Sequence, residues 1–344
     1  MASVTIVDVS YVAAPPHAAI KLNAMEAQWV VTPVLQHLLL FDADGHLPPF
    51  HEAVQSLRSS LAATLATHAP LAGKVHYLAD TGEVAICCSS DDGNGGGVRL
   101  RRRPTLGPHR VAEVKMPAVL QEDRLRFTRR TFTLDAAQIA RLKETIIHVT
   151  EEGQGGAPLR HAPSTFVAVV ALLWTCAVRG RSIPPDDDVF LFFLADIRDR
   201  LDPPAGADYL GTCLAACLTR LPARELHGEG ALVAAAAAVQ GTIREMAEDP
   251  LGFWLGWEFL KVPSDRTVSV DRLVNVSGSS GFGAYDAGDF GWGKPRRTEN
   301  VRMNHDGQVA LVRARDGGGV QVAVSMLRRD HFDAFQSELH KLLG

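Results

Sequence analysis

Ser164–Gly180 reads STFVAVVALLWTCAVRG. Ser164 and Thr165 are residue types that cap a helix N-terminus, and Thr165 to Val178 is apolar on nearly every side. A helix made from this run is buried around most of its circumference, so the fold must supply partner layers for it. The run is too short to span a bilayer and ends in Arg179. Immediately downstream, DVFLFFLADIRDRLDPP (Asp188–Pro204) reads as a buried strand entering a polar turn. A buried helix followed by a buried strand points to a layered α/β or α+β architecture.

The same alternation extends in both directions. Towards the C-terminus, helices are expected around GALVAAAAAVQGTIREMA. Strands are expected at TVSVDRLVNVS, QVALVRAR and GVQVAVSML, and an amphipathic helix at RRDHFDAFQSELHKLL. Towards the N-terminus, SVTIVDVSYVAAP alternates as a strand and stops at Pro15-Pro16. FHEAVQSLRSSLAATLATHAPLAG is a helix in which Val54, Leu57, Leu61 and Leu65 recur at steps of three and four, with Pro70 beyond its end. KVHYLA and EVAICC flank Asp80-Thr81-Gly82 as a hairpin. LRFTRRTFTL is a strand, and DAAQIARLKETI is a helix capped by Asp135. Between these, Ser89–Pro117 is rich in Gly, Arg and Pro. It reads as a long solvated loop rather than a phosphate site built from Arg101, Arg102 and Arg103. EEGQGGAPLRHAP is a linker, so the expected division is a first domain over 1–150 (irregular at 89–117), a linker over 151–162 and a second domain over 163–344.

Composition sets the outer limits. The chain has 344 residues, 46% hydrophobic and 22% charged, with a net charge of −4. That profile gives no electrostatic case for nucleic acid or an anionic membrane. No signal sequence is visible at the N-terminus, and the five cysteines (Cys87, Cys88, Cys176, Cys213, Cys217) have no metal-ligand spacing. The expectation is a cytoplasmic monomer with reduced thiols, no metal and no bound prosthetic group. The triplet DFG lacks the other kinase motifs, GNGGG lacks the Lys-Ser/Thr of a P-loop, and VSGSSG fails the nucleophile-elbow pattern at Phe282. His305-Asp306 precedes Gly307 in a turn, and Asp186–Asp188 follow two prolines as a solvated loop.

Several blocks carry a resemblance. DFGWG (Asp289, Phe290, Gly291, Trp292, Gly293) and YLGTC (with Tyr209, Gly211 and Cys213) stand in order with STFVAVVALLWTCAVRG, ADIRDRLDPP and the opening VTIVDVSYVAAPP. Together they resemble the plant BAHD family of acyl-CoA-dependent acyltransferases, and its malonyltransferase branch for anthocyanins and phenolic glucosides. YLGTC departs from that branch's YFGNC at Leu210 and Thr212. The resemblance implies a two-domain chloramphenicol-acetyltransferase-like fold with a solvent channel. It implies malonyl-CoA or a related acyl-CoA as co-substrate and a phenolic glycoside or flavonoid acceptor of plant secondary metabolism. It also implies a histidine base in an HxxxD motif, a structural role for DFGWG, and CoA phosphates met by cations such as Lys294, Arg296 and Arg297. Arg198 and Arg200 lie in a family-like block, where an ion pair with Asp196, Asp199 or Asp202 is the competing role.

One HxxxD match exists, His76–Asp80 in HYLAD. With 13 histidines and 24 aspartates, about one match is expected by chance. Asp80 is explained by the hairpin turn and His76 by a strand, and Thr81 stands where the family has Gly. The match also lies in a PLAG-type hairpin upstream of the family's catalytic strand. The expectation is therefore that His76 and Asp80 are a decoy, and that the catalytic segment is missing between Ser89 and Pro117. Two readings follow: a weak or inactive acyltransferase, or a non-catalytic member that binds CoA or a phenolic ligand, or is a degenerate or misannotated gene product.

Overall fold

The computed structural model describes residues 8–23, 26, 36–42, 47–88, 97–102, 126–151, 159, 161–206, 209, 211–252, 270–301, 303 and 305–344. In chain order these form β1 (Asp8–Ala13), β2 (His17–Lys21), β3 (His37–Leu40), α1 (Phe50–Thr67), β4 (Lys74–Leu78), β5 (Glu83–Cys88), β6 (Gly97–Arg102), β7 (Thr128–Leu134), α2 (Ala136–Glu151), α3 (Thr165–Arg181), β8 (Asp188–Asp196), β9 (Leu214–Pro222), α4 (Ala231–Glu248), β10 (Leu273–Gly278), β11 (Arg297–Asn300), β12 (Gln308–Arg313), β13 (Val320–Met326) and α5 (Arg329–Leu343). The chain divides into two compact units. The first is Met1–Pro33, Asp42–Met116 and Phe290–Trp292. The second is Val34–Phe41, Pro117–Asp289 and Gly293–Gly344.

In the first unit, β2, β5 and β4 form a three-stranded sheet in that order. β4 and β5 pair antiparallel from Lys74↔Cys87 to Leu78↔Glu83. The turn between them closes through the Gly82 N–H on Leu78 O at 2.8 Å. Gly82 sits at φ +69°, a conformation that a residue with a Cβ adopts only with strain. The apolar stripe of α1 places only Leu65 in the fully buried class. β1 pairs antiparallel with β6, from Asp8↔Arg102 to Ala13↔Gly97. This corrects the loop expected over Ser89–Pro117. Val98 and Leu100 alternate with Arg99 and Arg101, a period-two pattern that the flanking glycines and arginines obscure. Residues 89–96 and 103–117 of that stretch lie outside the described residues.

The second unit is built on a six-stranded mixed sheet in the order β7-β13-β12-β10-β8-β9. β10 runs parallel to both β8 and β12, and the other neighbours are antiparallel. β3 and β11 form a separate antiparallel pair. α3 is buried along its length, with Leu172, Leu173 and Trp174 fully enclosed. Each such side chain contributes about 1.5–3 kcal/mol relative to exposure. Ser164 Oγ accepts the Val167 N–H at 3.2 Å, the cap expected from the sequence. At the other end Gly180 lets α5 approach, since a Cβ there would lie 2.9 Å from Phe335 N. Phe332 and Phe335 of α5 are fully buried, and Phe132 of β7 stacks on Phe332 at 6.3 Å.

Two arginines close this core. Arg179 Nη1 meets Glu338 at 3.0 Å, while its Nε donates to Leu226 O at 2.9 Å. Arg181 is 7% exposed, pairs with Asp306 at 3.4 Å and donates to Leu273 O at 3.3 Å. α2 begins with a reciprocal box in which Asp135 Oδ1 accepts from Gln138 N at 2.7 Å and Gln138 Oε1 accepts from Asp135 N at 3.0 Å. β7 is an edge strand on β13, so residues 117–151 fall in the second unit. No described helix is long and apolar enough to cross a membrane.

Candidate functional site

The parallel strands β8, β10 and β12 end at Asp196, Gly278 and Arg313, on the same edge of the large sheet. The carboxyl ends of parallel strands are where α/β sheets place ligands, because chain reversals there leave loops and backbone groups uncommitted to the ladder. In this chain that edge gathers the YLGTC block and the turn that leads into DFGWG, whose Phe290–Trp292 fall in the first unit.

The first block follows β8. Asp196 Oδ1 accepts the main-chain N–H of Arg198 at 3.0 Å, and its Oδ2 pairs with Arg198 Nη1 at 2.5 Å. Arg198 Nη2 reaches the carbonyl of Gly211 at 3.0 Å, and Arg200 Nη1 donates to Asp196 O at 2.9 Å. Ile197 N donates to Cys213 O at 3.0 Å. Arg198 therefore ties the YLGTC segment to the end of β8, with Asp196 as its ion-pair partner. Tyr209 is 36% exposed, Cys213 is buried, and Leu210 lies outside the described residues.

The second block follows β10. Gly278 has φ +83°, and a Cβ on it would overlap Leu311 O, so the strand can turn this tightly only at glycine. Ser279 Oγ accepts from Gly281 N at 3.1 Å, and Arg313 Nη2 donates to Gly281 O at 2.9 Å. A single helical turn, Ala284–Ala287, then presents Tyr285, which is 5% exposed. Its hydroxyl donates to Gln321 Oε1, and Gln321 Nε2 donates to Thr298 O at 2.9 Å. This buried relay fixes the turn before DFGWG to β13 and β11.

Within DFGWG, Asp289 Oδ1 accepts the Gly293 N–H at 3.0 Å. Gly291 and Gly293 sit at φ +90° and +86°. The rings of Phe290 and Trp292 pack at 5.8 Å. The motif is thus a turn closed by its own aspartate. Of the candidate CoA cations, Lys294 pairs with Asp286 at 2.5 Å, and Arg297 pairs with Glu299. The Lys294 ammonium on Asp286 holds that carboxyl below the usual range, with Arg313 adding to the effect. Arg296 donates its N–H to Leu40 O at 2.7 Å.

His76 and Asp80 belong to the first unit. His76 is half-buried in β4, opposite Ala85, and Asp80 is exposed in the hairpin turn. Burial pushes the Cys176 thiol up and that of Cys217 to about 12, which makes both poor nucleophiles. Among the described residues no group of three His, Cys, Asp or Glu side chains has metal-binding geometry. The Arg198–Gly211 clamp and the Tyr285–Gln321–Thr298 relay escaped sequence reasoning. The arginine itself was visible in ADIRDR, but its acceptor is a carbonyl, which no residue type reveals.

The model of the Transferase family matches residues 105–342. Agmatine coumaroyltransferase of Arabidopsis thaliana is 33% identical over 183 residues, which is 53% of this chain and 40% of that protein. Phenolic glucoside malonyltransferase 2 of the same plant is 31% identical over 217 residues, 61% of this chain and 45% of that one. The matched part therefore spans less than half the length of these relatives. Among solved structures, vinorine synthase superposes with a TM-score of 0.71 at 15% identity, covering 99% of this chain and 98% of the other. TRI101 of F. sporotrichioides, complexed with coenzyme A and T-2, gives 0.68 at 13% identity, covering 94% and 99%. With its mixed α/β sheet and more than half of its length matched, the chain belongs to the Transferase (BAHD) family of acyltransferases.

Proposed function

We propose that this chain is an acyl-CoA-dependent O-acyltransferase of malonyltransferase type whose turnover is at most trace, because the segment bearing its catalytic histidine is missing. The donor is malonyl-CoA or a similar thioester, and the acceptor hydroxyl belongs to a phenolic glycoside or flavonoid. The malonyltransferase relatives support the donor and acceptor classes. The YLGTC block, tied to the end of β8, and the self-closed DFGWG turn support retention of the second half of the machinery.

The observation that carries the loss of turnover is the placement of HYLAD. A hydroxyl attacks a thioester only once a base takes its proton, and imidazole titrates in the right range. His76 stands in a hairpin strand and Asp80 in its turn, away from both motif blocks in sequence. Without a general base the rate falls by about 10²–10⁴-fold, and alignment of the two substrates is all that is left. CoA phosphates would draw on Lys294, Arg296 and Arg297. Lys294 and Arg297 would first have to release Asp286 and Glu299. A malonyl carboxylate calls for Arg or Lys, and Arg198 is already engaged by Asp196. The same placement of HYLAD supports the second reading, a non-catalytic member that binds CoA or a phenolic ligand.

The test is malonyl transfer by the purified full chain to a phenolic glucoside, with His76→Ala alongside. Trace turnover that is equal in both proteins is expected. Robust turnover abolished by His76→Ala would sink the proposal and make HYLAD a true active-site motif. CoA binding without any transfer would favour the non-catalytic reading.

A further inference from the structure

We propose that the groove between β1 and α1 is a binding site for a phosphate group. The groove has a volume of about 450 Å³ and is lined by Tyr11 and Ala13 of β1 and by Gln55, Arg58, Ser59 and Ala62 of α1. The α1 residues recur at steps of three and four, so they share one helix face. That face is distinct from the apolar stripe of Val54, Leu57, Leu61 and Leu65.

Three observations converge on an anion. Among the described residues no acidic side chain lines the groove. Among the described residues, no carboxylate stands within ion-pair distance of Arg58. The polar side chains of Tyr11, Gln55, Arg58 and Ser59 can all donate hydrogen bonds, and none makes one inside the described protein. β1 also pairs with an arginine-bearing strand. Its partner β6 sets Arg99 level with Tyr11 and Arg101 level with Val9, while Asp8, the only acid on either strand, stands opposite Arg102. Arg101 and Arg102 are two of the three arginines that raised a phosphate reading in the sequence.

Phosphate suits this donor set. A guanidinium fork takes two of its oxygens side by side, and the third can accept from a hydroxyl or an amide. The volume exceeds what an inorganic ion needs and falls within the range for small organic ligands. The phosphate site stands independently of acyl transfer. Only its assignment to the 3′-phosphate of CoA rests on the proposed function.

The test is calorimetric titration of the full chain with inorganic phosphate, and separately with CoA and with dephospho-CoA. Arg58→Ala is the variant, and Arg141→Ala, an exposed arginine on α2, is the control. Circular dichroism checks that each is folded. Phosphate should bind one to one and weaken by about 10–150-fold in Arg58→Ala, with Arg141→Ala unchanged. CoA binding more tightly than dephospho-CoA, with the difference erased by Arg58→Ala, names CoA as the source. Equal binding of those two, with phosphate binding still lost in Arg58→Ala, supports the site with another phosphate ligand. Phosphate affinity equal in Arg58→Ala and wild type, or lowered alike by both variants, or no binding at all, overturns the proposal.

Discussion

Gly307→Ala offers a strict test of how the second unit is held together. Gly307 lies in the turn before β12 at φ +72°. An added Cβ would lie 2.6 Å from Leu273 O and 3.1 Å from Arg181 Cζ. The backbone cannot rotate away, because Gly307 N donates to Ser325 O at 3.0 Å and its own carbonyl accepts from Asn275 N at 3.0 Å. The left-handed conformation alone costs a residue with a Cβ about 1–2 kcal/mol. Displacing Arg181 adds to this. It is buried, and loss of one partner from a buried pair costs about 3–5 kcal/mol. If the pair with Asp306 is half lost, the total is about 2.5–4.5 kcal/mol, which is a fall of about 5–18 °C in Tm for a unit of this size. Gly317→Ala is the comparator. Gly317 has φ +82° but nothing within 4 Å of an added Cβ, so only the conformational cost applies. Urea unfolding followed by the fluorescence of the buried Trp174 measures both. If the two variants are destabilised equally, the account of Arg181 as an immovable neighbour is wrong.

Two further outcomes are expected. Arg198→Ala should lower stability by about 1 kcal/mol, because its bonds to Asp196 and Gly211 are partly exposed. Arg198→Lys should lose as much, since a single ammonium cannot span a carboxylate and a carbonyl, and full recovery by lysine in urea midpoints would refute the clamp. Burial, followed by the Arg328 charge, pulls the His331 pKa below its ordinary value, although Asp330 and Asp306 oppose this. Between the folded pKa and the unfolded value near 6.5 the unfolded chain binds more protons, so stability falls as pH drops below about 6.5. This slope should be absent in His331→Gln across urea midpoints from about pH 5 to 8.

What the sequence discloses is local. The α3 core, the Ser164 cap, the capping role of Asp135 and the Asp80-Thr81-Gly82 turn each depend on residues within a few positions of one another, and each stands where its pattern places it. Long-range pairing is another matter. β7 joins β13 across nearly the whole second unit, through Thr131↔Ala323 and its neighbours, so no local pattern could show which sheet claims it. β3 and β11 pair Leu39 with Thr298, a match with no signature at either end. β9, LAACLTRLP, packs against β8 with small side chains rather than the branched and aromatic residues that mark strands. β6 was hidden by arginine content. The site divides in the same way. DFGWG and YLGTC could be recognised as strings, but the Arg198 bond to the Gly211 carbonyl and the Tyr285–Gln321 relay exist only in three dimensions.

The HYLAD match shows why spacing cannot stand for geometry. On a helix, residues four apart lie one above the other, about 6 Å apart, and three intervening residues bring a histidine and an aspartate onto one face. On a strand each residue advances about 3.3 Å, so four steps cover about 13 Å unless the chain folds back. From His76 the chain runs extended through Leu78, where β4 ends, and Asp80 falls inside the turn that returns it to Glu83. That turn is already accounted for by the Gly82 N–H on Leu78 O and by the positive φ of Gly82, so the aspartate there needs no catalytic partner to explain it. DFGWG differs in kind. Its aspartate closes its own turn onto Gly293, both glycines take conformations that side chains resist, and Tyr285 just upstream is locked by a buried hydrogen bond. The aspartate and both glycines of that string have a physical reason to be what they are. For this reason DFGWG carries weight as a mark of family, and the spacing of HYLAD by itself is accounted for by a hairpin.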